Sequence, residues 1–389
     1  MTERMLDGVR VIELGEMVSA PYAGRLLRSL GAEVIKIEAP NGDAARRYGP
    51  FSPDDFNHER SGLFEYLNAG KRSVVVDISE QEQVSALVGL ISACDVVLSG
   101  YSDSQLSQWP INVNALMSEQ TRLVFITIVS LGVEDASLPQ IPASDLDASA
   151  ISSVSWVIGE TGRQPLSLPF LLPDYQAGTH GAAAAVAGLL GAHLGGKGLR
   201  IEIAAADVLA WYAGTNAMVY EPYGIRWERA GSRASGSGGP YPYAIFPCRD
   251  GYVCLIARTG QDWARFIDAM GSPEWSTQPR YQDLIAMGSQ YPDEVDRLVV
   301  PLLARYTKVE LHQLASEWGF PLAPLLTIDE VVSSPDLKMS GSFQTAKLPS
   351  PTPGALFPAS PIRPHGTLDE ELPLAPKLGE DTEQYLASC

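Results

Sequence analysis

LDGVRVIELGEMVSAPYAGRLLRSLGAEVIKIEAP, residues 6–40, reads as strand, turn, helix, strand. VRVIEL at 9–14 and EVIKIE at 33–38 are short runs rich in β-branched residues, and 21–30 between them has helical length. The same rhythm continues through SVVVD at 73–77, a helical segment at 80–92, DVVLS at 95–99 and LVFITI at 123–128. Apolar strands alternating with helices predict an α/β fold: a Rossmann-like, doubly wound parallel sheet with helices on both faces. Ligands of such sheets sit beyond the carboxyl ends of the strands, so the loops after residues 14, 38, 77, 99 and 128 are the places to look. The first of them, Gly15-Glu16-Met17-Val18-Ser19-Ala20-Pro21, is no G-x-G-x-x-G, so a dinucleotide site is not supported.

Beyond about residue 140 the pattern changes. Ser/Ala/Pro-rich connections lead to a long alanine-rich helix at 175–194, a strand at 199–203 and a helix running through Tyr212. RAGSRASGSGGP at 229–240 has the composition of a flexible loop. A strand at 251–257 and helices at 261–270, 294–306 and 309–318 then predict a smaller α+β domain. Residues 348–376 are Pro-rich and lack a long periodic segment, which predicts an extended surface tail. The expected organisation is a large domain at 1–200, a linker helix region at 201–224, a small domain at 225–330 and a tail at 331–389 that returns to the large domain.

The chain has 389 residues, 45% of them hydrophobic, enough for two real cores. No stretch reaches the roughly 20 apolar residues of a membrane span. The start runs directly into a strand pattern without a signal sequence, which places the protein in the cytoplasm and away from membranes. Cys94, Cys248, Cys254 and Cys389 are scattered without metal spacing and read as free thiols; no metal site is expected. A net charge of −18 repels polyanions, which argues against nucleic acid as a partner. An anionic ligand then needs local cations or backbone donors.

Four blocks carry a resemblance: residues 6–40 quoted above, LNAGKRSVVVDIS at 67–79, PDYQAGTHGAAAAVAGLL at 173–190 and PYPYAIFPCRDGYVCLIA at 240–257. With APKLGEDTEQYL at 375–386, their order and spacing resemble the family III CoA-transferases of CaiB/BaiF type, a group that includes formyl-CoA and carnitine-type transferases and the α-methylacyl-CoA racemases. The resemblance implies an acyl-CoA:carboxylate CoA-transferase with no permanently bound cofactor, a coenzyme A thioester as substrate and a carboxylic acid as the other partner. In similar transferases an aspartate heads the helix that opens D-x-x-[TA]-G, here Asp174-Tyr175-Gln176-Ala177-Gly178. Asp174 is thus the candidate nucleophile, attacking the thioester carbonyl and ending as an aspartyl-CoA thioester. The plain alternative for Asp174 is a helix N-cap. By the same resemblance Met17, Val18, Ser19, Arg72, Val76, Asp77, Ile78 and Tyr101 are candidate substrate and CoA contacts. Gly236, Gly238 and Gly239 resemble the mobile loop that folds over the intermediates, although an ordinary linker would have the same composition.

The departures from the pattern shape the expectation as much as the matches. The three positions where relatives place cations around the CoA phosphates are Ala39, Ser79 and Gln108 here, leaving Arg46, Arg47 and Arg72 as candidate partners. Ser144 stands where racemases carry their histidine, and a hydroxyl cannot move a proton in that role near neutral pH, so racemase chemistry is disfavoured. His180 faces away from the start of its helix and reads as a core or interface residue. Other readings stay open: a lyase or isomerase, one subunit of a heteromeric transferase, or a non-catalytic paralogue. The resemblance further implies an interlocked homodimer, with one chain's Asp174 meeting the partner's glycine loop.

Overall fold

The structure, a computed structural model, describes residues 4–51, 61–132, 144–234, 239–346, 355–362 and 372–387. Contacts divide the chain into two units: Met1–Ser152, Leu168–Tyr212 and Ser334–Cys389 form one, Ser153–Ser167 and Ala213–Ser333 the other.

The first unit contains β1 (Arg10–Leu14), α1 (Ser19–Ser29), β2 (Glu33–Glu38), α2 (Gly62–Asn68), β3 (Arg72–Val75), α3 (Gln81–Ser92) and β4 (Val96–Ser99). It continues with α4 (Asp103–Leu106), α5 (Val113–Glu119), β5 (Val124–Val129), α6 (Asp145–Ile151), α7 (Leu172–Gly195), β6 (Arg200–Ala204) and α8 (Ala205–Tyr212). The six strands form one parallel sheet in the order β3-β2-β1-β4-β5-β6. Alternation along each strand feeds two cores. Val11, Val34, Val96, Leu98, Val124, Ile126 and Ile128 pack with Ala23, Leu27, Ala177 and Ala185 of α1 and α7. Ile12, Ile35, Val97 and Phe125 turn the other way, towards Leu87, Ile91 and Leu116 of α3 and α5. Both faces are therefore covered, as the uninterrupted apolar runs require. Because β1 pairs with β2 on one side and β4 on the other, the strand order reverses there, and the crevice at the carboxyl ends of β1 and β4 is the expected ligand position.

The second unit contains α9 (Gly214–Tyr223), β7 (Tyr243–Cys248), β8 (Gly251–Ile256), α10 (Gly260–Ala269), α11 (Leu284–Ser289), α12 (Pro292–Leu303), α13 (Lys308–Trp318), β9 (Leu322–Pro324) and α14 (Ile328–Ser333). Its three strands pair antiparallel in the order β7-β8-β9 over a core that includes Phe246, Val253, Leu255, Trp263, Phe266 and Leu303. Strand β7, which the sequence pattern left unread, carries Pro247 and lies at the edge, where a missing N–H is tolerated. The segment 153–167 joins this unit through Arg229, whose guanidinium lies 4.7 Å from the Trp156 ring and donates to its carbonyl, and through a Gly231 N–H to Gly159 bond.

The chain then returns to the first unit with α15 (Pro335–Met339), the antiparallel pair β10 (Phe343–Ala346) and β11 (Ala355–Pro358), and α16 (Thr382–Leu386). This tail covers the open edge of β3 with side chains. The Ser73 N–H donates to Asp381 Oδ2 at 3.0 Å and the Val75 N–H to Thr382 Oγ1 at 2.9 Å, satisfying an edge that would otherwise invite another strand. Among the described residues no helix is long and apolar enough to cross a membrane. Cys94, Cys248 and Cys254 are free thiols, and Cys389 lies outside the described residues.

Candidate active site

Helix α7 opens three residues before the point where its periodicity becomes legible, and this changes what Asp174 can be. The N-cap is Leu171, without a side-chain capping bond, and Asp174 is the third residue of the helix; it is not the cap. Its backbone N–H reaches back to the Leu171 carbonyl at 3.0 Å. Phe170 and Leu171 both hold positive φ, 61° and 54°, an uncommon and strained choice for two successive bulky residues. Among the described residues the Asp174 carboxylate has no hydrogen-bond partner. Burial, reinforced by the charge of Asp145 at the start of α6, pushes its carboxyl up to about 6. A carboxylate left without a partner, half-buried and repelled by a second acid carries a charge that its surroundings do little to stabilise.

Glycines set the place of this residue. A Cβ on Gly178 would come 2.5 Å from the Ser19 carbonyl oxygen and against Tyr22, and one on Gly188 would come 2.6 Å from Val124. Their absence lets α7 lie directly on α1 and β5, and Tyr175 meets Tyr22 edge-on at 4.8 Å. The first turns of α7 are thereby held against the first turns of α1.

The turn before α1 gathers several predicted contacts. Met17 adopts φ 61° and donates its N–H to Asp43 Oδ1 at 3.0 Å; Val18 is buried and caps α1 without a side-chain bond, leaving the Ser19 and Ala20 amides without a partner among the described residues. Tyr101 leaves β4 on the neighbouring loop, tilts against Trp109 at 5.1 Å and donates to Glu16 Oε1 at 3.4 Å. Burial, with Glu16 beside it, raises its phenol. Val76, Asp77 and Ile78 leave the carboxyl end of β3: Val76 is buried, Ile78 is exposed, and Asp77 Oδ1 accepts from the backbone and hydroxyl of Ser79. Those two bonds hold the Asp77 carboxyl below its usual range. Strands β1, β3 and β4 thus deliver these residues to one edge of the sheet.

Arg72 stands apart, at the opposite end of β3, with its guanidinium 3.3 Å from Asp381 of the tail. Arg46 is buried, forms a bidentate pair with Glu38, donates to the Pro376 carbonyl and stacks 3.7 Å over Phe64. That corrects its reading as a phosphate partner, since its donors are directed inward. Arg47 is exposed and donates to the Asn41 carbonyl. Ala39, Ser79 and Gln108 are all exposed. His180 lies between α7 and α8, bonded to the Gln176 carbonyl and edge-on to Tyr212. Gly236 and Gly238 lie outside the described residues; Gly239 packs its carbonyl where a Cβ on Gly288 would stand, 2.3 Å away.

Two features escaped the sequence reading. One is Asp145, next to Ser144, whose effect on Asp174 depends on how α6 and α7 pack. The other is a set of buried charges beneath the α1 turn. Register brings Glu13 of β1 opposite Lys36 of β2, and Lys36 Nζ binds Glu13 at 3.0 Å and Asp43 at 2.7 Å. Lys71 Nζ takes the other Glu13 oxygen at 2.7 Å. Burial drives Lys71 down to about 8 against the pull of Glu13, whereas for Lys36 the acids outweigh burial and its proton is held above the ordinary lysine range.

The sequence profile of CoA-transferase family III matches residues 6–382. A succinyl-CoA:(R)-benzylsuccinate CoA-transferase subunit of Thauera aromatica is 27% identical, across 98% of this chain and 93% of its own. A succinate–glutarate CoA-transferase of Agrobacterium fabrum is 26% identical across 98% and 95%. The crystal structure of a CaiB/BaiF family protein from Brucella suis superposes with a TM-score of 0.85 at 23% identity, covering the whole of both chains.

Proposed function

The chain belongs to CoA-transferase family III and is an enzyme of that class, and from this premise we propose that it moves CoA between carboxylic acids through an aspartyl-CoA thioester on Asp174. The observation that carries the proposal is the state of Asp174: uncapped, without a hydrogen-bond partner among the described residues, half-buried and raised to about 6, so that it is ionised yet weakly solvated at neutral pH. An Asp174 oxygen adds to the donor thioester carbonyl, and the C–S bond breaks to give CoA thiolate and a mixed anhydride. The thiolate then attacks the aspartyl carbonyl and releases the donor acid as a carboxylate, leaving the aspartyl-CoA thioester. An acceptor carboxylate runs the same two steps in reverse and restores free Asp174. The Ser19 and Ala20 amides at the start of α1, which have no partner among the described residues, suit the oxyanions of these steps, being fixed donors that need no reorganisation.

Several relatives carry succinyl-CoA in their names, so succinyl-CoA with a panel of dicarboxylates is the first pairing to try. In our reading CoA lies along the loops of Met17, Val18, Ser19, Val76, Asp77, Ile78 and Tyr101. With Ala39, Ser79 and Gln108 uncharged, its phosphates are held less firmly than by three cations, each worth roughly 1.5–3 kcal/mol. We also propose a homodimer. Beyond its glycine and alanine face on the sheet, the second half of α7 exposes an apolar stripe of Val186, Leu190 and Leu194, the last 77% exposed, and α8 exposes Trp211 at 82%. Exposed apolar side chains of this size are what a second copy covers.

Asp174→Ala should abolish transfer from succinyl-CoA while the variant stays folded; activity within a few-fold of wild type would refute the role. A second reading, one half of a heteromeric transferase, draws on the Thauera relative being named a subunit. Sedimentation and activity of the purified chain decide: an active homodimer supports the first reading, an inactive monomer the second.

A further inference from the structure

The charges buried beneath the α1 turn act on backbone as much as on one another. Lys36 Nζ donates to the Gly15 carbonyl at 2.8 Å as well as to Glu13, and it lies 2.7 Å from Asp43 Oδ2. Asp43 Oδ1 accepts the N–H of Met17 at 3.0 Å. One fully buried ion pair therefore grips the turn at both ends, the carbonyl of Gly15 and the amide of Met17, and Glu16 between them faces outward to Tyr101. A second lysine of the set, Lys71, reaches the next turn of backbone by donating to the Pro21 carbonyl of α1 at 2.8 Å, and Gly24 leaves the room that Glu13 occupies. Met17 is held left-handed, which a non-glycine residue does not adopt unaided. Burying such charges is poor value for stability when an apolar pair would fill the same space, so their use lies in the geometry they impose.

We propose that Lys36 and Asp43 are positioning residues for the transfer reaction: they hold the strained Gly15–Met17 turn so that the open amides at the start of α1 meet the thioester in one fixed arrangement. The inference rests on the transferase reading and adds to it a device that never touches substrate. Its mark is a coupling between Asp43 and the strain at Met17. Glycine at position 17 takes the left-handed backbone without strain, so the turn needs its clamp less.

The test is a double-mutant cycle of Asp43→Ala and Met17→Gly, read as kcat and KM for succinyl-CoA on folded protein well below the thermal midpoint. Asp43→Ala should lower kcat/KM about ten- to a hundred-fold, the scale of a misplacement near 1 Å. In the Met17→Gly background, measured against that single variant, the same change should cost less than about threefold while the thermal midpoint stays low. A purely architectural role lowers the midpoint as well but leaves kcat/KM per folded enzyme unchanged and shows no coupling to Met17, and either of these last two results overturns the proposal. If Asp43→Ala does not fold, Asp43→Asn carries the test, since the amide oxygen keeps the Met17 bond while the pairing with Lys36 weakens; the loss is then smaller and must still shrink beside Met17→Gly. A wild type that transfers nothing overturns the transferase reading and this inference with it, whereas an active wild type matched by Asp43→Ala overturns only the inference.

Discussion

Replacing Asp174 by asparagine removes the ionisable proton and the charge with almost no change of shape, and the site predicts opposite effects on stability and activity. The carboxyl stands near 6 in the fold because burial and Asp145 oppose its charge, against an ordinary value of 3.8. A raised carboxyl binds its proton more tightly folded than unfolded, so wild-type stability declines as pH rises from about 4 to about 6 and stays reduced above. That difference amounts to about 3 kcal/mol at pH 8 without screening, and to about 1–2 kcal/mol once water around a half-buried group is allowed for. Asp174→Asn should therefore raise the thermal midpoint of the protein at pH 8, at matched protein concentration, with roughly half the gain remaining at pH 5. Transfer from succinyl-CoA should vanish in the same variant. Were Asp174 instead a helix cap, the substitution would be neutral or weakening, because a cap contributes about 1 kcal/mol in the other direction. A midpoint at pH 8 equal to or below that of wild type refutes the reasoning, whatever happens to the activity.

Because only the ionised carboxylate attacks, kcat/KM for the donor should fall as pH drops through about 6, and Asp145→Asn, by removing the repelling charge, should move that acid limb to lower pH in a pH–rate profile. Gly178→Ala should destabilise more than Gly181→Ala in denaturant titrations, by about 1–3 kcal/mol, because its Cβ meets the Ser19 backbone oxygen whereas that of Gly181 meets the movable end of Ile128. Asp381→Ala leaves the Ser73 amide on the edge of β3 without its acceptor; limited proteolysis should release the C-terminal tail faster, with a stability loss of about 1–3 kcal/mol.

What the sequence made legible was what repeats locally. The β1-α1-β2 unit stood out because its apolar runs are bounded by glycine turns, and the family blocks pointed to one aspartate. Helix α7 begins before its sequence signal does: Leu172 and Pro173 carry no helical period, and the left-handed residues before them are neither glycine nor asparagine. Strand β7 was hidden by Pro247, a residue that fits only an edge, and edges are assigned by pairing. The attachment of 153–167 to the second unit rests on Arg229 and Trp156, distant in sequence. Glu13 and Lys36 looked like stray charges in apolar strands; only the register makes them neighbours, and only Asp43, arriving from the following loop, shows what they hold.

The central claim is a covalent one, that CoA is carried on Asp174. Its most direct measurement is mass spectrometry of the intact protein after brief incubation with succinyl-CoA, followed by borohydride reduction and peptide mapping. The wild type should carry a CoA adduct and, after reduction, the alcohol at position 174; Asp174→Asn should show neither. Steady transfer with an unmodified Asp174, or an adduct that maps to any other residue, would contradict it.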